Sequence, residues 1–285
     1  MWLMFAFASA FFAGITAVLA KIGVKNVDSN VATAIRTIII LIFSWMMVFV
    51  VGSYVSIVNI DGHTLIFLIL SGLSTGLSWL CYFKAIQLGD VNKVTPIDKS
   101  STVLTIILAF IILGENITLS KVIGIIFIAI GTFMMITKKE GSKKESSRLW
   151  LLFASLSAVF ASLTSILGKI GITHIESNLG TAIRTIVVLI MAWIVVFVTK
   201  KHNTIKNIDK RSLKFILLSG VTTGLSWLCY YRALQEGEAS IVVPIDKLSI
   251  LITIAFSYLF LKEKLTKNSL IGLVAIIVGT LVLII

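Results

Sequence analysis

The sequence predicts an all-α integral membrane protein with ten transmembrane helices, arranged as two inverted-topology five-helix repeats. The chain has 285 residues, of which 58% are hydrophobic and 13% charged, and its mean hydropathy is +1.04. This composition lies outside the range of soluble proteins. Many of its apolar runs are long enough to cross a bilayer, since ~20 helical residues span the hydrocarbon. In addition, the second half of the chain repeats the first.

The internal repeat is visible letter by letter. TGLSWLCY at 75–82 returns at 223–230, and PIDK at 96–99 returns at 244–247. Residues 1–137 align with 149–285 without a gap, and roughly half of the aligned positions are identical, as expected of a duplicated structural unit. The sequence therefore predicts a first repeat at 1–137, a polar basic linker at 138–148 and a second repeat at 149–285.

Each repeat contains five apolar runs. The predicted helices of the first repeat lie near 2–21, 31–52, 64–86, 93–114 and 120–137, and those of the second near 150–169, 179–199, 212–234, 241–262 and 268–285. These runs are too continuously apolar for the alternating strands of a membrane barrel, so helices are expected. Pro96 and Pro244 either open the fourth helix of each repeat or mark a break in it.

An odd number of spans per repeat requires the second repeat to enter the membrane from the opposite side. The loops agree with this inversion. Residues 52–63 carry no lysine or arginine, whereas their copy, 200–211, is strongly basic. Basic loops stay on the cytoplasmic side. We therefore expect a multi-pass plasma-membrane protein with a cytoplasmic linker and both termini outside.

Ionisable side chains within the spans are costly and point to function, at roughly 2.5–3.5 kcal/mol each on insertion scales. They form two equivalent clusters, in which one acid pairs with bases to close one side of the membrane. The first contains Arg36, Asp98 and Lys99, and the second contains Arg184, Asp246 and Lys247. Lys21, Lys84 and their copies lie nearer to helix ends, where they can extend to the lipid headgroups. The same alternative, interface residues instead of gates, stays open for the clusters.

A stripe of polar and aromatic residues runs along the third helix of each repeat. The predicted substrate-binding residues are Thr75, Ser78, Trp79 and Tyr82, with the copies Thr223, Ser226, Trp227 and Tyr230. Small and hydroxyl residues in membrane helices often form packing surfaces. The bulky Trp and Tyr favour instead an apolar pocket with a few hydrogen-bonding groups. The first helix contributes a small face of Ser9, Ala13 and Thr16, copied at 157, 161 and 164.

The sequence offers no candidate catalytic or metal-binding residues. All three histidines, His63, His174 and His202, fall in loops, and the spans contain no Ser/His pair. The chain lacks a GxxxxGK[ST] phosphate loop, so we expect neither ATP nor another cofactor. The net charge of +12 lies mainly in loops, which is typical of membrane proteins and not of nucleic-acid binding.

The repeated unit resembles the EamA domain of the drug/metabolite transporter superfamily. The residues that carry the resemblance are the PID–K segment, the following LGE or LKE at 113–115 and 261–263, and the IG…GT pattern of each last helix. The resemblance implies a ten-helix secondary carrier whose cavity is lined mainly by the first four helices of each repeat. Members of the superfamily export amino acids and other metabolites, or exchange phosphorylated or nucleotide-linked sugars.

We therefore expect a non-enzymatic secondary transporter that exports small polar or amphipathic metabolites by alternating access. The alternatives are a channel-like or non-transporting membrane protein, and a carrier of anionic or phosphorylated metabolites. The expected partners are a small-molecule substrate and the lipid bilayer, with no nucleic acid, and the chain would act as a monomer or a homodimer.

Overall fold

The computed structural model describes residues 1–24, 27–88, 94, 97–134, 149–261 and 267–284. Across these ranges the secondary structure is helical. The α-helices are α1 (Trp2–Gly23), α2 (Ser29–Val51), α3 (Gly62–Leu88), α4 (Ser101–Ile112), α5 (Leu119–Met134), α6 (Leu149–Gly171), α7 (Ser177–Val198), α8 (Lys210–Glu236), α9 (Ala239–Lys247), α10 (Ser249–Leu261) and α11 (Lys267–Ile284). Two 3₁₀ helices, Ser53–Asn59 and His202–Asn207, follow α2 and α7 at equivalent places. The linker at 138–148 lies outside the described residues.

Six of these helices, α1, α2, α3, α6, α7 and α8, are long and apolar enough to cross a membrane. Leu119–Met134 and Leu270–Ile284 are shorter apolar helices. The protein is therefore a multi-pass helical membrane protein, and the count of ten spans stays a prediction.

The second helix of each repeat begins at an acidic N-cap. A carboxylate oxygen of Asp28 accepts hydrogen bonds from the backbone N–H groups of Asn30 and Val31. The carboxylate of Glu176 does the same for Asn178 and Leu179. Because the first N–H groups of a helix have no partner within it, these side chains fix where α2 and α7 begin.

The fourth helix of each repeat, for which the sequence left open either a start or a break at the proline, is interrupted. The interruption lies at Leu248 between α9 and α10, and at the equivalent Ser100 before α4. At both points the backbone N–H donates a hydrogen bond to the carbonyl three residues earlier, Leu248 to Ile245 and Ser100 to Ile97. Pro244 lies inside α9 and has no N–H to donate one turn back, which weakens the helix before the break. Pro96 lies outside the described residues.

The helices divide into two compact units, neither of which is one sequence repeat. Unit 1 contains Met1–Leu73, Leu167–Gly237 and Ser249–Lys262, and unit 2 contains Ser74–Ile166, Glu238–Leu248 and Glu263–Ile285. In unit 1, α1 packs on α8 and α10, and α2 packs on α7 and α8. In unit 2, α5 packs on α11, and α4 packs on α9. Each unit is therefore built from both repeats.

Glycines allow the closest helix contacts. A Cβ added to Gly131 would lie 2.5 Å from the carbonyl oxygen of Gly272, and one added to Gly124 would lie 2.8 Å from that of Gly279. These glycines therefore have a packing role, since small residues let membrane helices approach closely. Gly72 makes a similar contact in unit 1, where an added Cβ would lie 2.7 Å from the Cβ of Val187.

Candidate functional site

Hydroxyl groups join α1 to α8 in unit 1. Ser9 Oγ lies 3.3 Å from Ser226 Oγ, and Thr16 Oγ1 lies 2.8 Å from Thr222 Oγ1. Thr223 donates to the carbonyl of Ser219 at 2.6 Å and also faces Thr16 at 3.5 Å. The small face predicted on the first helix thus meets the stripe on α8.

The equivalent hydroxyls join α3 to α6 in unit 2. Ser78 Oγ lies 3.3 Å from Ser157 Oγ and donates to the Ser157 carbonyl at 3.1 Å, and Thr75 Oγ1 lies 3.3 Å from Thr164 Oγ1. Ser157 also donates to Asp98 Oδ1 at 2.8 Å. The structure therefore connects a residue of the predicted stripe to an acid of the predicted first charge cluster.

The hydroxyl members of the stripe are buried between helices. Thr75, Ser78, Thr223 and Ser226 are 5–8% exposed. Hydrogen bonds in this setting bring membrane helices together. Their role in substrate binding stays a prediction.

The aromatic members of the stripe are only partly buried. Trp79 is half-buried, Tyr82 packs on a cluster formed by Ala85, Val94 and Ala154, and the Tyr230 ring lies 5.3 Å from that of Tyr231 in a T-shaped arrangement. Trp227 contacts a buried cation, described next.

Arg184 is enclosed by a set that we call the Arg184 cluster, made of Arg184, Ser71, Trp227 and Tyr231. The arginine is 1% exposed. Its Cζ lies 5.1 Å from the Trp227 ring centroid and 4.6 Å from that of Tyr231, and its Nε donates to Ser71 Oγ at 3.3 Å. Aromatic faces attract a guanidinium, and more strongly when water is excluded. The cluster thus stabilises a cation that would be costly if it were unpaired.

Further hydrogen bonds tie the same end of α8 to α6 and the loop after it. Lys169 Nζ donates to the carbonyl of Gly237 at 2.6 Å. Gln235 Nε2 donates to the carbonyls of Ile172 and Ile175, both at 2.6 Å. These bonds link the end of α8 to α6 and to the α6–α7 connection. The Arg184 cluster therefore lies beside a set of interhelical hydrogen bonds.

Arg36, the copy of Arg184, has different surroundings. It lines a small, partly open pocket, which we call the Arg36 pocket. The other residues of its walls are Ala20, Val24, Ala32, Thr33, Ile216 and Ser219. Arg36 Nε is buried and has no hydrogen-bond partner in the described structure. Ser219, the copy of Ser71, donates to the carbonyl of Ile216 at 2.7 Å.

The remaining predicted gate residues lie at the interrupted fourth helices. Asp246 and Lys247 end α9, and Asp98 and Lys99 precede the break at Ser100. Lys99 and Lys247 are both exposed. Their assignment to gates stays a prediction.

Glu115 is a structural residue whose role the sequence did not predict. Its two carboxylate oxygens accept from the backbone N–H groups of Ala239 and Ser240 at 2.6 and 2.9 Å, so it caps the N-terminus of α9. Beside it, Lys121 Nζ binds Glu238 in an ion pair and the carbonyl of Asn116. The available signal was the repetition of the glutamate in LGE and LKE.

The fold and the buried polar contacts define a class, an internally duplicated helical protein of the membrane. Comparison with known sequences makes this more specific. The sequence model of the EamA-like transporter family matches residues 1–137 and again residues 148–285. The chain therefore belongs to the EamA-like transporter family, and the two matches support an internal duplication.

Individual relatives agree with this family. An uncharacterized transporter in the cobO 3′ region of Sinorhizobium sp is 44% identical over 134 residues, which is 95% of that protein and 47% of this chain. An uncharacterized transporter of Archaeoglobus fulgidus is 24% identical over 263 residues, covering 92% of this chain and 90% of that protein. The alignment with one solved crystal structure covers 98% of this chain and 95% of the chain in that structure, with a TM-score of 0.80 at 15% identity. This likeness shows a shared fold.

Proposed function

We propose that the protein is a secondary transporter that exports a small polar or amphipathic solute across the plasma membrane by alternating access, without catalysing a reaction. The observation that carries the proposal is that two copies of one arginine have opposite surroundings. Arg184 is enclosed by aromatic rings, while Arg36 lines a pocket. A carrier needs one side closed while the other is open, and inverted repeats supply two equivalent gates for this.

The interrupted fourth helices support the same proposal. Broken helices near charged groups are a feature of carriers, because unpaired backbone groups at the break can meet a solute or ion. The breaks at Ser100 and Leu248 follow directly after Asp98–Lys99 and Asp246–Lys247. We propose that these four residues, with the stripes on α3 and α8, face the solute during transport.

The test is solute uptake into proteoliposomes that contain the purified protein, with a metabolite panel and with or without a pH gradient. We expect saturable uptake of at least one solute, and counterflow when that solute is preloaded inside. Flux that rises linearly with concentration would indicate a channel, and no flux for any solute would contradict transport. Asp98→Asn and Asp246→Asn are the matched variants for the charge clusters, and full rates in both would contradict the gate assignment.

Orientation is tested separately by cysteine labelling in intact cells. Cys81→Ala and Cys229→Ala remove the native thiols, and Ser142→Cys then reports the side of the linker. We propose that the linker is cytoplasmic and both termini are outside. A membrane-impermeant maleimide should therefore label Ser142→Cys only after the cells are opened, and labelling in intact cells would reverse the topology.

A further inference from the structure

We infer that the segment between α7 and α8 forms a binding surface for the headgroups of anionic phospholipids. This surface is separate from the candidate transport site, and the inference does not depend on the proposed transport function. Between residues 200 and 214, six residues are lysine or arginine and one is acidic. All six basic residues are exposed. We call them the basic surface, and they are Lys200, Lys201, Lys206, Lys210, Arg211 and Lys214.

The first argument is the position of the basic surface at the ends of two membrane spans. Both α7 and α8 are long and apolar enough to cross a membrane, and the connection between them is short and largely 3₁₀-helical. Exposed apolar side chains border it on both helices. Phe197 and Val198 are 58% and 68% exposed at the end of α7, and Leu217 and Leu218 are 36% and 43% exposed one turn after Lys214.

This apolar border favours a lipid as the partner over a soluble polyanion. Lysine and arginine side chains keep their hydrocarbon stems in apolar surroundings while their charged ends reach the polar layer of the membrane. The basic surface would therefore lie at the depth of the lipid phosphates. Clusters of about four to eight lysines and arginines beside a membrane span are typical of anionic-lipid recognition.

The second argument is that acidic side chains neutralise little of this charge. Lys201 Nζ lies 3.8 Å from Asp28 Oδ2, and this is the only ion pair of the basic surface among the residues that the structure describes. The one acid of the segment, Asp209, accepts a hydrogen bond from the backbone N–H of Ser212 at 2.9 Å and so caps α8. The phosphate of a lipid headgroup would supply the counter-charge that the protein lacks here.

The third argument comes from the copy of this segment in the first repeat, which has an equivalent backbone. The 3₁₀ helix Ser53–Asn59 follows α2 as His202–Asn207 follows α7. The carboxylates of Asp61 and Asp209 both accept a hydrogen bond from the backbone N–H three residues later. The two segments therefore differ in their side chains and not in their secondary structure.

The side chains of the copy are neutral and apolar. Residues 52–66 contain no lysine or arginine. Val58 and Ile66, the copies of Lys206 and Lys214, are 90% and 57% exposed. Because the same local fold forms without any of the six charges, folding of the segment does not require them, and this favours a role in binding.

The experiment places a fluorescent reporter at equivalent positions of the two segments in the purified full-length protein. Cys81→Ala and Cys229→Ala remove the native thiols. Asn203→Cys then reports on the basic surface, and Val55→Cys, at the copied position, is the matched control; both native residues are exposed. After labelling with an environment-sensitive maleimide dye, the protein in a neutral detergent is titrated with phosphatidylglycerol, phosphatidylcholine or soluble glycerol phosphate.

We expect the dye at residue 203 to respond saturably to phosphatidylglycerol, with an apparent affinity about tenfold or more above that for phosphatidylcholine. High salt should reduce this preference, because it screens exposed charges. The combined variant Lys206→Gln, Lys210→Gln and Lys214→Gln should lower the preference to about twofold or less. The dye at residue 55 should show no preference between the two lipids.

The reverse exchange tests whether the charges are sufficient. Val58→Lys, Gly62→Lys and Ile66→Lys place three lysines of the basic surface at the copied positions. An added Cβ at Gly62 meets no atom within 4 Å, and the other two residues are exposed, so the variant should fold. The dye at residue 55 should then gain a preference for phosphatidylglycerol of about fivefold or more.

Four results would overturn the inference. They are no lipid preference at residue 203, an unchanged preference in the triple glutamine variant, an equal response to glycerol phosphate, and no preference gained in the triple lysine variant. The first of these would leave the basic residues as an orientation signal alone. Uptake in proteoliposomes is measured independently, so the lipid surface and the transporter can each be rejected without the other.

Discussion

The Arg184 cluster and the Arg36 pocket lie at equivalent positions of two repeats that share roughly half of their residues, yet aromatic rings enclose Arg184 and a pocket lies beside Arg36. Two residues of the Arg184 region differ from their copies in sequence. Gly168, where an added Cβ would meet the Tyr231 ring, corresponds to Ala20, and Tyr231 corresponds to Phe83, which has no hydroxyl. The two arginines thus differ in their surroundings, although equivalent serine pairs join α1 to α8 and α3 to α6.

Removal of the arginines should produce the largest difference between the two regions. Arg184→Gln loses two aromatic contacts and a hydrogen bond from a charged donor, so we expect the free energy of unfolding to fall by about 2 kcal/mol. Arg36→Gln removes a half-buried cation whose Nε has no hydrogen-bond partner in the described structure, so the stability of this variant should be unchanged or higher. Chemical unfolding in mixed micelles measures both, and equal losses would mean that the two regions are energetically equivalent.

Exchange of the glycine tests the steric part of the contrast. In Gly168→Ala the new methyl group meets Tyr231 and Ser71 at 2.7 and 3.1 Å, and overpacking of this kind costs about 1–3 kcal/mol. The cluster should open more often. Ile172 lies nearby and is 0% exposed, so a cysteine at this position reports the opening. Ile172→Cys should react with a maleimide about tenfold faster in the Gly168→Ala background than without it, the ratio that 1.4 kcal/mol produces. Ala20→Gly is the matched control, and a similar acceleration there would contradict a local effect.

Glutamine substitutions test the bonds that fasten the end of α8. Gln235→Leu removes both hydrogen bonds to the α6–α7 connection and should cost about 1–2 kcal/mol of unfolding free energy. Its copy Gln87 is exposed, so Gln87→Leu should change stability by less than about 0.5 kcal/mol. If both variants lose the same amount, the asymmetry does not extend to this end of the helices.

Serine substitutions should show the smallest effects, and equal ones. Ser226 pairs with Ser9 at the same distance, 3.3 Å, at which Ser78 pairs with Ser157. Ser226→Ala and Ser78→Ala should each cost about 0.6 kcal/mol, the average for hydrogen bonds between membrane helices. A clear difference between them would place part of the asymmetry in the hydroxyl interface as well.

The repeat made much of the fold predictable, because long apolar runs in a duplicated pattern indicate a helical membrane protein built from two repeats. The interruption of the fourth helix was not predictable, since Pro244 is compatible with a helix start or with a break, and only the hydrogen bond from Leu248 to Ile245 distinguishes them. The hydroxyl stripes were identified, but their partners depend on which helices touch.

The same limit applies to the arginines. The burial of Arg184 followed from its position in an apolar span, whereas its aromatic partners lie on α8, far away in sequence. Trp227 and Tyr231 are four residues apart and so share a helix face. That spacing was the one available signal. The difference between Ala20 and Gly168 can be interpreted only once the position of the Tyr231 ring is known.

The exchange of helices between the repeats has a consequence for synthesis in the cell. In unit 1, α1 packs on α8, and Ser9 and Thr16 bond with residues more than 200 positions later. At about 5–20 residues per second, α1 enters the membrane roughly 10–40 seconds before its partner exists. During that interval its hydroxyl face must be sheltered by other helices or by the insertion machinery, so the first helix of the chain reaches its final packing late in synthesis.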